Sequence, residues 1–297
     1  MLSRAFNRRD LIAGAAASAC AWPVLAATDG LAAIEARVGS RLGVAALDLG
    51  SGAKLAHRAD ERFPMCSTFK AMAVAAVLAK VDAGAERLDR FVRYGEADLL
   101  AYAPVTRAHV GQGGLPLVDL CAAAIEESDN GAANLILASL GGPAGWTRYV
   151  RSLGDNVSRL DRTEPTLNTS LPGDPRDTTT PNAALSDLRR TVLGDALKPA
   201  SRQRLQDWMV ACKTGDTRLR AGLPRHWKVG DKTGTWSAEN AYASSNDIAV
   251  VWTETQPILI TCYVTGPDAV PAKSRDAAIA DVARLVTAAF RPGAARG

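Results

Sequence analysis

The run Ser67-Thr68-Phe69-Lys70-Ala71-Met72-Ala73-Val74-Ala75-Ala76-Val77-Leu78-Ala79-Lys80-Val81-Asp82 decides the fold. Alanine, valine, methionine and leucine crowd every side of it and Gly84 closes it, which predicts a helix buried all round rather than one lying on a surface. A buried helix needs a shell, and the flanking sequence provides one. Residues 41–48 and 54–57 read as strands joined at Gly50-Ser51-Gly52, opening a hairpin. Downstream, residues 116–126, 130–140, 144–153, 181–193 and 199–212 read as helices, several with a proline near the first turn. Residues 229–235, 247–253 and 257–264 read as strands, and 273–290 as a closing helix. The expected architecture is an α/β unit plus an all-α unit: an antiparallel five-stranded sheet flanked by helices, with a helical lobe inserted. Residues 28–65 with 213–297 would form the α/β lobe, and residues 66–212 the helical lobe.

With 297 residues, 47% of them hydrophobic and 22% charged, the chain has the make-up of an ordinary globular protein, not a disordered one. Residues 1–27 read as an export signal: a basic start with Arg8-Arg9-Asp10, a small-residue apolar run, then Val24-Leu25-Ala26. The arginine pair ahead of apolar residues suggests the twin-arginine route, and hence a periplasmic protein. The run is short and broken by Trp22-Pro23, which disfavours a membrane span; lipid attachment at Cys20 is a minor alternative. Removing Arg4, Arg8, Arg9 and Asp10 takes the formal charge from +4 to 4 − 2 = +2, a surplus that predicts no nucleic-acid partner. Cys66, Cys121, Cys212 and Cys262 remain, as buried thiols or with one disulfide, and their spacing matches no zinc pattern. No oligomer signal is visible, so a monomer is the default.

Ser67 and Lys70, three apart on a helix, share a face at a start where backbone N–H groups favour negative charge. Taken alone, Ser67 could equally cap the helix with Lys70 in solvent. Ser128-Asp129-Asn130 falls at the junction of two helices, and Lys232-Thr233-Gly234 on a late strand. Residues 155–180 form a long aperiodic stretch with Pro165, Pro172, Gly173 and Pro175, the kind of loop that is usually functional, and it carries Glu164 and Asn168. Order and context, rather than any one of these short motifs, carry the signal.

In that order the motifs identify the chain as resembling a class A serine β-lactamase, over about residues 31–285. The resemblance implies a helical lobe against an α/β lobe with the site between them, and no cofactor. It makes Ser67 the nucleophile on a β-lactam carbonyl and Ser128 the proton donor to the leaving nitrogen. Lys70, or Glu164 through a water, is the base for acylation. Glu164 and Asn168 form the deacylation pair, and Asn130 contacts the substrate amide. Backbone N–H groups of Ser67 and Thr235 hold the oxyanion. Lys232, Thr233, Gly234 and Thr235 face the substrate carboxylate, with Arg218 as an added cation and Tyr102 at the entrance. Arg162 and Asp177 close the long loop as an ion pair. Some relatives pair a cysteine at Cys66 with one after Thr235; here Trp236 stands there, a departure that removes that bond.

Two other readings share the motifs: a penicillin-binding peptidase, which lacks the deacylating glutamate, and a non-catalytic β-lactam sensor, which would hold drug without releasing it. Glu164-Pro165-Thr166-Leu167-Asn168 favours hydrolysis. His57, His109 and His226 are isolated, so zinc chemistry is not expected, and no phosphate-binding loop is present.

Overall fold

The computed structural model describes residues 27–237 and 242–294. The export segment, including Cys20 and the arginine pair, lies outside them apart from Ala27, the first described residue. Five strands form one antiparallel sheet: β1 (Arg41–Asp48), β2 (Lys54–His57), β7 (Lys228–Trp236), β8 (Tyr242–Trp252) and β9 (Ile258–Pro267), in the order β2-β1-β9-β8-β7. Chain start and chain end therefore meet in one sheet, as expected. Arg41 pairs with Thr265 and Asp48 with Ile258, which fixes the register across the centre. The short strands β3 (Phe63–Pro64) with β6 (Thr178–Thr179), and β4 (Phe91–Arg93) with β5 (Gly114–Pro116), make two small ribbons. The first ribbon ties the end of the long loop to the segment entering the nucleophile turn.

Helix α2 (Phe69–Asp82) is the axis of the helical part, and every residue from Phe69 to Leu78 is buried. Around it pack α4 (Leu117–Glu126), α5 (Asn130–Leu140), α6 (Gly142–Ser152) and α8 (Pro199–Val210), while α7 (Pro181–Leu188) lies against β9 and β1, in a core that also takes Ile248, Val250, Leu259 and Tyr263 from the sheet. Burying each of its larger side chains, such as Leu78, is worth about 1.5–3 kcal/mol. The all-round apolar composition that predicted burial is thus satisfied by helices on most sides and by the sheet. A second core lies on the sheet's other face, where Val44, Ala249, Ile260 and Val264 meet the short α9 (Leu219–Gly222), α10 (Ala272–Phe290) and helix α1 at residues 27–38.

Three local expectations need correction. Helix α1 is absent from the sequence reading, although Leu31, Ile34 and Val38 are buried at helical spacing; its run is short and rich in alanine, and the pattern shows only against the sheet. Helix α3 (Pro104–His109) was also missed, because only one of its residues, Thr106, is buried. The helix expected over 181–193 ends at Leu188 and continues as a π-helical turn, Arg189–Leu193, where packing rather than periodicity sets the path. Among the described residues no helix is long and apolar enough to cross a membrane.

Candidate active site

Ser67 sits in a 3₁₀ turn, Cys66–Thr68, immediately before α2, not within the α-helix itself. Cys66 is held at φ +44°, a left-handed backbone that costs a side-chain-bearing residue about 1–3 kcal/mol. The neighbouring strands hold it there. The Asn246 amide donates to Pro64 O at 2.9 Å and Met65 O at 3.1 Å. Gly234 on β7 passes so close that a Cβ on it would lie 2.7 Å from Met65 O and 3.2 Å from Ser67 N. The glycine of Lys-Thr-Gly is required because backbone packs on backbone there.

Lys70 is fully buried, with Nζ donating to Ser128 O at 2.7 Å and Asn130 Oδ1 at 2.6 Å and lying 3.2 Å from Glu164 Oε1. Burial pulls its pKa below the usual lysine range, and the Glu164 charge opposes that. Ser128, at φ +57°, presents its hydroxyl 2.9 Å from Lys232 Nζ and 3.4 Å from Lys70 Nζ. Lys232 is also fully buried, and burial pushes its pKa down to about 8. Two buried ammonium groups flank one serine hydroxyl.

From the long loop, Glu164 Oε1 reaches to 3.4 Å from Ser67 Oγ, while Oε2 accepts from Asn168 Nδ2 at 2.5 Å. Asn168 Oδ1 is buried and has no hydrogen-bond partner among the described residues. The expected Arg162–Asp177 pair is present at 2.6 Å, and Asp177 Oδ1 also accepts from the backbone of Asp161 and Arg162.

Arg218 is only 6% exposed, which rules out a solvated surface charge. Its guanidinium donates to Thr235 Oγ1 at 2.7 Å, Gly234 O at 3.0 Å and Asn246 O at 2.8 Å, and its Nε pairs with Asp276 at 2.9 Å. Thr233 shares a hydrogen bond with Thr214 at 2.5 Å. Tyr102 is half exposed, with its hydroxyl donating to Glu127 O at 3.1 Å. Ser67, Tyr102, Ser128, Asn130, Asn168, Thr233, Thr235 and Trp236 together line a cleft of about 480 Å³. A larger groove of about 670 Å³, beside Arg37, Leu223 and Leu285, brings no nucleophile and relay together.

Two residues of the site had no role in the sequence reading. Asp129, the middle of Ser-Asp-Asn, caps α5 through Ala132 N and accepts from Val105 N, Thr106 N and Thr106 Oγ1, fixing the Tyr102 segment to that helix. An N-cap aspartate ahead of a helical run was the available signal. Asn134 brackets the Glu164 backbone, donating to Glu164 O at 3.0 Å and accepting from Glu164 N at 2.9 Å. It lies four residues after Asn130 and so on the same helix face, a spacing visible in the sequence but meaningless without the loop. All four described cysteines are free and buried. The three histidines bond elsewhere, to Glu35, Val105 O and Glu254, and no metal-holding cluster exists among the described residues.

The family described as "Beta-lactamase enzyme family" matches residues 26–290. Beta-lactamase FAR-1 of Nocardia farcinica is 48% identical over 265 residues, covering 89% of this chain and 83% of that protein. Beta-lactamase L2 of Stenotrophomonas maltophilia is 47% identical, covering 91% and 88%. The solved structure of an ancestral (GNCA) class A β-lactamase superposes with a TM-score of 0.85 at 58% identity, covering 89% of this chain and all of that one. The chain belongs to the class A serine β-lactamases. As a class A β-lactamase it is a hydrolase of β-lactam rings that works through a serine, the activity by which the class confers antibiotic resistance.

Proposed function

We propose that this β-lactamase opens penicillin- and cephalosporin-type rings in two half-reactions carried by Ser67, Lys70, Ser128 and Glu164. The observation that carries the reading is the Glu164 carboxylate 3.4 Å from the Ser67 hydroxyl, with Asn168 fixed on its other oxygen. In the resting arrangement Lys70 faces two close acceptors and a carboxylate, so its ammonium protons are all engaged, whereas Glu164 has the Ser67 hydroxyl pointing at it. That favours Glu164 as the group that first takes the serine proton, directly or through a water. Ser67 Oγ then bonds to the lactam carbon, and the oxyanion is held by the N–H groups of Ser67 and Thr235. Ser128 passes its proton to the leaving nitrogen and is reprotonated by Lys70, which recovers from Glu164, 3.2 Å away, the proton taken from Ser67, so that Glu164 is a carboxylate again. For deacylation, Glu164 takes a proton from a water held by Asn168; the hydroxide adds to the ester carbon, the bond to Ser67 Oγ breaks, and Ser67 takes back the proton that Glu164 holds 3.4 Å away. Side chains and water suffice for the cycle.

Lys232, Thr233 and Thr235 would receive the substrate carboxylate. Gly234 lets their strand approach, and Arg218 lends charge from behind Thr235. Asn130 would meet the side-chain amide and Tyr102 the entrance, while Arg162 with Asp177 keeps the loop closed. Residues 28–65 with 213–297, and 66–212, are the proposed lobes. Residues 1–27 act as a twin-arginine export signal, delivering a monomer to the periplasm; replacing Arg8 and Arg9 by lysine should leave precursor in the cytoplasm. The central test is Glu164→Ala with nitrocefin. Intact mass should show one trapped acyl group per chain, and steady turnover without a trapped adduct would remove Glu164 from deacylation.

A further inference from the structure

Behind Asn168 the long loop is stitched to the sheet by three hydroxyls. Ser170 Oγ lies 3.1 Å from Asn168 O and 2.8 Å from Ser244 Oγ, and Ser244 Oγ lies 2.7 Å from Thr265 Oγ1. All three residues are buried, and Ser244 on β8 stands directly opposite Thr265 on β9. A carbonyl can only accept, so the Ser170 proton is committed to Asn168 O. Ser244 must therefore donate to Ser170, and Thr265 to Ser244. The polarity of the whole chain is fixed from its loop end, and such a run of like-directed hydroxyls strengthens each link. The Cys66 thiol borders Ser170 and Ser244, but burial pushes it up to about 12, so it stays neutral and brings no competing charge.

The Ser170 bond to Asn168 O spans two residues, and by itself it could form or break with a simple rotation of the Ser170 side chain. What selects the rotamer is Ser244, 74 residues away and anchored in the sheet. Asn168 in turn reaches Glu164 Oε2 and Pro165 O with its amide, so the orientation of its peptide sets where the amide points. None of the hydrogen bonds of Ser67, Lys70, Ser128 or Lys232 involves this hydroxyl chain among the described residues.

We propose that Ser244, acting through Ser170, is a positioning residue for the second half-reaction: it sets Asn168 and the water Asn168 holds for deacylation, whereas Glu164 Oε1, the oxygen that serves acylation, stays placed by Lys70 at 3.2 Å and by the Asn134 clamp on the Glu164 backbone. The inference rests on the reading of Glu164 and Asn168 as the deacylation pair. In an acyl-enzyme mechanism kcat/KM reports the steps up to acylation, whereas kcat reports deacylation when that step is slow. Ser244→Ala is therefore expected to lower kcat and KM for nitrocefin together, by about tenfold, with kcat/KM nearly unchanged and a burst approaching one equivalent.

Ser170→Ala, which cuts the same chain one link nearer the loop, should give the same split, and the double variant should be no worse than either single one. Ser244→Thr, which keeps the hydroxyl, should restore kcat. A parallel fall of kcat and kcat/KM, unchanged kinetics, or additive losses in folded variants would overturn the proposal; if Ser244→Ala fails to fold, Ser170→Ala carries the decision. Glu164→Ala measured alongside separates the two levels. If it traps the acyl-enzyme while the serine variants turn over normally, only the role of the chain falls. If it does not trap, the deacylation reading falls and the proposal with it.

Discussion

Replacing Gly234 by alanine tests how closely strand and nucleophile turn must approach. The added Cβ would lie 2.7 Å from Met65 O and 3.2 Å from both Cys66 Cβ and Ser67 N. A carbon atom needs roughly 3.5 Å from such neighbours, so the shortfall at Met65 O is about 0.8 Å. Met65 O and Ser67 N are backbone atoms in a turn already held at φ +44° by Cys66, so the turn cannot swing away as a side-chain tip would. The strand must retreat instead.

Overpacking of this kind costs about 1–3 kcal/mol, which in a chain of this size lowers Tm by roughly 2–12 °C. The kinetic loss should be larger in proportion. The two proposed oxyanion donors, Ser67 N–H and Thr235 N–H, lie on opposite sides of this contact, and a displacement near 1 Å typically costs on the order of a hundredfold in rate. Nitrocefin kinetics and scanning calorimetry read both quantities. Gly230→Ala provides the control on the same strand: its nearest contact is the Met209 side chain at 3.2 Å, so it should cost some stability while sparing kcat/KM. A Gly234→Ala enzyme with unchanged Tm and kcat/KM within about threefold of the parent would refute the close-approach argument.

Arg218→Ala should raise KM for carboxylate-bearing substrates more than it lowers kcat, because it frees Thr235 Oγ1 and removes a cation behind the anchor; an unchanged KM would count against it. Lys232 must be charged to attract an anionic substrate, and its pKa is about 8, so kcat/KM for such substrates should be full below that value and fall as pH rises through it. A neutral β-lactam ester should show a weaker fall over the same range. Asp129→Ala removes a helix cap and the acceptor for Val105 and Thr106, so unfolding should lose about 3 kcal/mol or more, seen as a Tm drop of at least 6 °C or so. A stable Asp129→Ala protein would show that the Tyr102 segment is held by something else.

What the sequence determined by itself was what carries a strong short period. Ser67 and Lys70 three apart, the all-round apolar helix after them, the alternation of the strands and the order of the motifs follow from local geometry, where a few residues fix a direction. The ion pair of Arg162 with Asp177 was expected as well, but through the family resemblance alone, since nothing in the spacing of the loop singles out those two residues. Tertiary structure alone decided the rest. Glu164 lies 97 residues from Ser67, and nothing local brings its carboxylate to 3.4 Å; Asn134, which clamps its backbone, becomes meaningful only once the loop lies across α5. Nothing around Arg218 in the sequence shows that it is buried against the strand beside it, and the four cysteines, open to standing as thiols or with one disulfide, were left unpaired by the packing. The physical reason is common to these cases. Periodic spacing constrains dihedral angles within a segment, whereas burial and long-range contact depend on which surfaces meet, and those are chosen by the whole chain at once.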